Sequence, residues 1–114
     1  MVEPDSALRE NMIVMLQQQS FRVTEAAGAE EALVLAERLE PAVVLVNSQV
    51  AEARDYWLMR RLRRLSEAMQ IMVMAEAMSE AAGRAAMRRG ASGFGETGKL
   101  PDLLAQVRPR STSH

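Results

Sequence analysis

The side chains to weigh for chemistry fall in four short segments: Glu3 to Asp5, Asn47 to Asp55, Ala75 to Met78 and Gly95 to Lys99. They offer carboxylates at Glu3 and Asp5, a hydroxyl at Thr97 and an amine at Lys99. None of these stands in a glycine-rich phosphate loop, a nucleophile-base pair or a metal-ligand cluster. The single histidine, His114, lies in a polar tail, so histidine acid-base chemistry, a histidine triad and a multi-histidine metal site lack support. With no cysteine, disulfides and thiolate metal sites are excluded. The expectation is a protein that is not an enzyme and holds neither metal nor cofactor.

The chain has 114 residues, 48% hydrophobic and 25% charged, the composition of one soluble globular domain. Its longest apolar runs, residues 42–46 and 71–75, fall far short of the roughly 20 residues of a membrane span, and a basic-then-apolar leader is not seen. No membrane partner and a cytoplasmic location are expected. Residues 1–55 hold ten acids against four arginines, whereas residues 56–114 hold five acids against ten basic residues. This asymmetry raises an alternative, an arginine-rich nucleic-acid-binding regulatory domain. Only four aromatics are available as base-stacking platforms, which weakens that alternative, and a nucleic-acid partner is not expected.

Apolar residues recur at helical spacing over 6–19 (Leu8, Met12, Met15, Leu16), 30–40 (Ala32, Leu33, Ala36), 56–68 (Leu58, Leu62, Leu65), 79–89 and 99–107 (Leu100, Leu103, Leu104, Val107). Asp5 or Ser6 can cap the first helix, Pro41 ends the second, Gly90 ends the fourth, and Pro101 suits the first turn of the last. Residues 21–26 alternate as a short strand. Residues 42–46 and 71–75 are unbroken apolar runs, as for strands covered on both faces, and Gly93-Phe94 begins a weak strand. Nine methionines could form an adaptable binding surface, but Met12, Met15, Met59, Met72 and Met74 fall on core stripes. Strands alternating with helices specify a doubly wound parallel α/β sheet, and function in such folds gathers beyond the carboxyl ends of the strands. Residues 1–109 form this domain and 110–114 a disordered tail.

In that frame the sequence resembles the receiver domain of bacterial two-component response regulators. The likeness is carried by the acidic start Val2-Glu3-Pro4-Asp5, the junction Glu25 to Leu33, the run Glu40 to Asn47 and the approach Gly90 to Phe94. The resemblance implies a flavodoxin-like five-stranded sheet of order 2-1-3-4-5, of whose first strand only Met1 and Val2 are present. It also implies a magnesium-assisted phosphoacceptor aspartate, a hydroxyl residue, a lysine and an aromatic switch.

The residues depart from that plan. The acceptor position falls on Asn47, whose amide is no nucleophile and a weaker ligand than a carboxylate. Pro4 replaces one acid beside Glu3, Ala75 replaces the hydroxyl residue, and Thr97 with Gly98 replaces the lysine and its proline; Lys99 lies two positions on. Ala51 and Asp55 stand for a turn proline and glycine. The reading is a degenerate receiver, a pseudo-receiver in phosphorelay signalling that acts through protein contacts. Its interaction face would carry the switch position Phe94 with Arg84, Arg88, Arg89 and Lys99. A protein partner is expected and a homodimer is open, with Trp57 a candidate anchor. The short first strand leaves a gap in the sheet, to be filled by upstream residues, a second chain or a rearranged segment.

Overall fold

The computed structural model describes residues 1–108, so the expected tail at 110–114 lies outside the described residues. Helix α1, Ser6–Gln18, starts where the Asp5 carboxylate accepts from the Leu8 N–H at 3.1 Å. It buries Met12 and Leu16 but leaves Met15 42% exposed, contrary to the core role expected of that methionine. Three residues on from Met12, Met15 lies about 60° around the helix, off the stripe that faces the sheet. Helix α2, Ala29–Leu39, stops at Glu40, whose left-handed backbone (φ 46°, ψ 58°) follows from the clash of Pro41 with a helical residue before it.

The sheet has three parallel strands in the order β1-β2-β3: β1 Val43–Asn47, β2 Gln70–Ala75 and β3 Gly93–Glu96. Register runs from Val43 opposite Gln70 to Asn47 opposite Met74, and from Met72 opposite Gly93 to Ala75 opposite Glu96. Ile71, Met72, Val73 and Met74 are buried, as their unbroken apolar run requires of a central strand.

The expected five-stranded sheet is not formed among the described residues. Val2 makes single-residue parallel bridges to Val46 on one side and Ala26 on the other. Its N–H donates to the Leu45 carbonyl at 2.7 Å and its carbonyl accepts from Asn47 N–H at 2.9 Å; across the other edge Ala26 N–H donates to Met1 at 2.9 Å and Glu3 N–H to Ala26 at 3.0 Å. Residues 1–3 thus occupy the gap themselves. The strand expected at 21–26 is reduced to the bridge at Ala26, with Phe21 exposed. The Met1 ammonium donates to the Thr24 carbonyl at 2.7 Å; burial pushes its pKa down, opposed by the charge of Glu25. Cavities of about 50 and 90 Å³ flank Met1, one lined by Leu35, Leu39 and Val44, the other by Leu16, Phe21 and Leu104.

Helix α3 spans Ser48–Leu65 with a break at Ala53–Tyr56, so a short helical segment precedes the break and the helix expected from Tyr56 follows it. There Arg54, Asp55 and Tyr56 are left-handed in succession (φ 54°, 53° and 60°), where glycine would be easiest; each costs about 1–2 kcal/mol relative to right-handed backbone. Arg60 holds the break, its guanidinium donating to the carbonyls of Asp55 (3.1 Å) and Arg54 (3.3 Å). Helix α4, Glu80–Arg88, is capped by Ser79 and followed by Gly90 at φ 107°. The last expected helix, 99–107, is shorter, α5 at Leu100–Leu104, and is preceded by a 3-10 turn, Thr97–Lys99.

Two apolar clusters cover the sheet. Leu58, Met59, Leu62 and Val46 pack with α2 and α3 on one side, and Met12, Leu16, Met72, Met74 and Leu103 pack with α1 and α5 on the other. Arg63 stitches the lower loops: it donates to Gly90 O at 2.9 and 2.7 Å, to Ser92 Oγ at 3.0 Å, to Glu67 O at 3.1 Å and to Met69 O.

Candidate functional site

The carboxyl end of β1 meets the N-terminal segment at Glu3, which is only 2% exposed. Its Oε1 accepts from Asn47 Nδ2 at 3.0 Å and its Oε2 from the Asp5 backbone N–H at 2.9 Å. Asn47 is used twice, since its Oδ1 accepts from Gln49 N–H at 2.8 Å and caps α3. A carboxylate taken from water is tolerable only when its oxygens are satisfied, and here one amide and one peptide group do so. Arg9 adds a positive charge nearby, donating to the Glu3 carbonyl at 2.7 Å and pairing with Glu25 at 3.2 Å. Pro4 is exposed and turns outward from this pair. Among the described residues, no three acidic or histidine side chains converge as a metal site would require.

The second half of the site lies at the ends of β2 and β3. Ala75 pairs in register with Glu96, and Thr97 is buried at 8% exposure at the start of the 3-10 turn. Glu96 Oε2 accepts from Met78 N–H at 3.2 Å, tying the loop after β2 to β3, while Oε1 lies 3.6 Å from Lys99 Nζ. Lys99 is thus turned to Glu96 at the surface, with its side chain 68% exposed. Neither Glu96 nor Arg9 stands out from the sequence, because each acts by joining loops distant in the chain.

On the face built from α4, β3 and α5, Phe94 is half-buried and lies over Gly83, where an added Cβ would come within 2.1 Å of its ring. Arg84 is exposed and paired with Glu80 at 2.9 Å, and Arg88 is exposed. Arg89 differs from the other two: it pairs with Asp55 at 3.1 Å and stacks over Tyr56 at 5.0 Å, so it is engaged with the break in α3. Trp57 is half-buried between Arg54 and Arg61, 5.5 and 5.3 Å from its ring centre. The exposed edge of β3 is covered by Gln106, whose amide accepts from Phe94 N–H at 3.1 Å and donates to Phe94 O at 2.7 Å.

Residues 1–96 match the family model of the response regulator receiver domain. A comparison with curated proteins finds no match. Among solved structures, the chain is similar to a response regulator from Burkholderia pseudomallei with a phosphorylated aspartic acid, calcium ion and citrate (TM-score 0.81, 19% identity), covering 94% of this chain and 64% of that one. It is also similar to the signal receiver domain of the putative regulator NarL from Mycobacterium tuberculosis (TM-score 0.79, 18% identity), covering 96% of this chain and 94% of that one. A LuxR-family two-component regulator from Aurantimonas gives a TM-score of 0.78 at 23% identity, over 97% and 86% of the two chains.

Proposed function

The chain belongs to the response regulator receiver domain family, and from that premise we propose that it is a pseudo-receiver, a two-component signalling module that works without accepting phosphate. The observation that carries this reading is the bond from Asn47 Nδ2 to Glu3 Oε1: the amide at the acceptor position satisfies the acid with which it would otherwise share a cation. An amide has no nucleophilic oxygen for acyl phosphate formation, and a single carboxylate already holding two donors is a poor magnesium ligand.

Glu96 supplies a further part of the reading. Its carboxylate holds Met78 N–H from within the chain, so the loop after β2 has an anionic partner that no phosphodonor need provide. The module is then a fixed adaptor, non-enzymatic and cytoplasmic, offering Phe94, Arg84, Arg88 and Lys99 to a protein partner. Among the described residues no helix is long and apolar enough to cross a membrane.

The test is incubation with acetyl phosphate and magnesium, followed by intact mass and amide NMR. The expected result is no phosphoryl adduct and no magnesium-dependent shift at Glu3 or Asn47. An adduct that requires magnesium and disappears in Asn47→Ala overturns the reading.

A further inference from the structure

The two helices on the α2–α3 face carry opposite charge side by side. On α2 the exposed residues include Glu30, Val34 and Glu37; on α3 they include Arg61, Arg64 and Leu65. Within the chain the two ridges are joined by a single ion pair among the described residues, Arg54 to Glu30 at 3.4 Å, with both side chains mostly exposed. Glu37, Arg61 and Arg64 have no ion-pair partner among the described residues. Val34 and Leu65, 51% and 44% exposed, place an apolar side chain on each ridge.

We propose that this face is the interface of a homodimer, with a second copy of this chain as its partner. Glu30 in the first turn of α2 meets Arg54 in the break of α3, and Glu37 near the end of α2 lines the same cleft as Leu65 at the end of α3, so the two helices run the same way. A two-fold axis parallel to the helices and midway between them sets α2 of one copy on α3 of the other, acid on base in both halves. An axis across the helices would set α2 on α2 and α3 on α3, like charge on like, and is disfavoured. Arg38 is the one basic residue on α2 working against the favoured arrangement. Trp57 lies on α3 beside the ridge, between Arg54 and Arg61, and its half-buried ring gives the interface a rigid centre. This interface does not depend on whether Asn47 accepts a phosphoryl group.

Sedimentation equilibrium at low and high salt tests it. The expected result is a dimer at low salt that dissociates at high salt, as screening weakens exposed ion pairs. The double variants Arg61→Glu with Arg64→Glu, and Glu30→Arg with Glu37→Arg, should each weaken self-association by about tenfold or more. Mixed together they should associate, because each now carries the charge that complements the other on both helices. Circular dichroism checks that both fold; if either does not, Arg64→Gln and Glu37→Gln remove charge without reversing it and should each weaken the dimer. A wild-type chain that stays monomeric, whether or not it takes up polyglutamate or an oligonucleotide, overturns the proposal. So does a dimer indifferent to the substitutions.

Discussion

Asn47 Nδ2 donates to Glu3 Oε1 at 3.0 Å across 44 positions of sequence, and the same Asn47 caps α3 through Oδ1. One side chain therefore joins the N-terminal segment, the end of β1 and the start of α3. An aspartate in its place would keep the cap and lose the donor.

Asn47→Asp is accordingly expected to lower stability by about 1–3 kcal/mol at neutral pH, because Glu3 loses a partner and meets a like charge. Two adjacent carboxylates raise the folded pKa of one of them. A raised folded pKa gives stability that is present at low pH and lost as pH rises through it, so the deficit should shrink on acidification. Urea unfolding at neutral and mildly acidic pH measures this. With phosphodonor and magnesium, the amide shifts of residues 78–105 should stay unchanged, since Ala75 and Thr97 offer no lysine and hydroxyl pair to read a phosphoryl group.

Gly83→Ala should destabilise the protein despite a helix-propensity gain of about 1 kcal/mol, because the new methyl lies within 2.1 Å of the Phe94 ring. In a Phe94→Ala background the same substitution should become stabilising. The double-mutant cycle, read by thermal unfolding, isolates the contact.

Arg63→Met keeps the aliphatic stem and removes the donors to Gly90, Ser92, Glu67 and Met69. A loss of about 2–3 kcal/mol is expected. Burial lowers the Arg63 pKa, partly offset by Glu67, but a guanidinium stays charged at ordinary pH. The loss measured by chemical denaturation should therefore be the same at pH values on either side of neutrality.

Gln106→Ala uncovers the edge of β3. Faster hydrogen exchange at Phe94 N–H and a loss of about 1 kcal/mol are expected, together with a greater tendency to aggregate through the opened edge.

The two long strands were legible because β-branched and apolar runs without alternation have few other uses; Asn47 and Ala75 end them, and the resemblance of Gly90 to Phe94 to the family's approach to its last strand placed Thr97. Residues 21–26 show what a local pattern omits. Their alternation suits a strand, but a strand needs pairing along its length, and among the described residues this segment is paired only at Ala26. The break at Ala53–Tyr56 also escapes local reading, since three non-glycine residues in left-handed backbone are held by Arg60 from the next turns of α3 together with Arg89 from the end of α4. Glu96, Gln106 and Arg63 carry their roles only once distant loops meet. Met15 is exposed because the buried stripe of α1 is narrow, holding Met12 and Leu16 and leaving a residue about 60° away outside it, a width that helical spacing alone does not state.

The short hold of Val2 on its two neighbours divides the molecule into parts of unequal cooperativity. β1, β2 and β3 are locked by continuous ladders, whereas α1 and residues 20–28 hang on a few bonds around Met1, Val2 and Glu3, with cavities at their side. Opening there disrupts two one-residue bridges and frees α1, whose buried residues are only Met12 and Leu16. The N-terminal quarter of the chain should therefore unfold as a sub-global unit ahead of the rest, its amides exchanging as a group while those of β2 wait for complete unfolding.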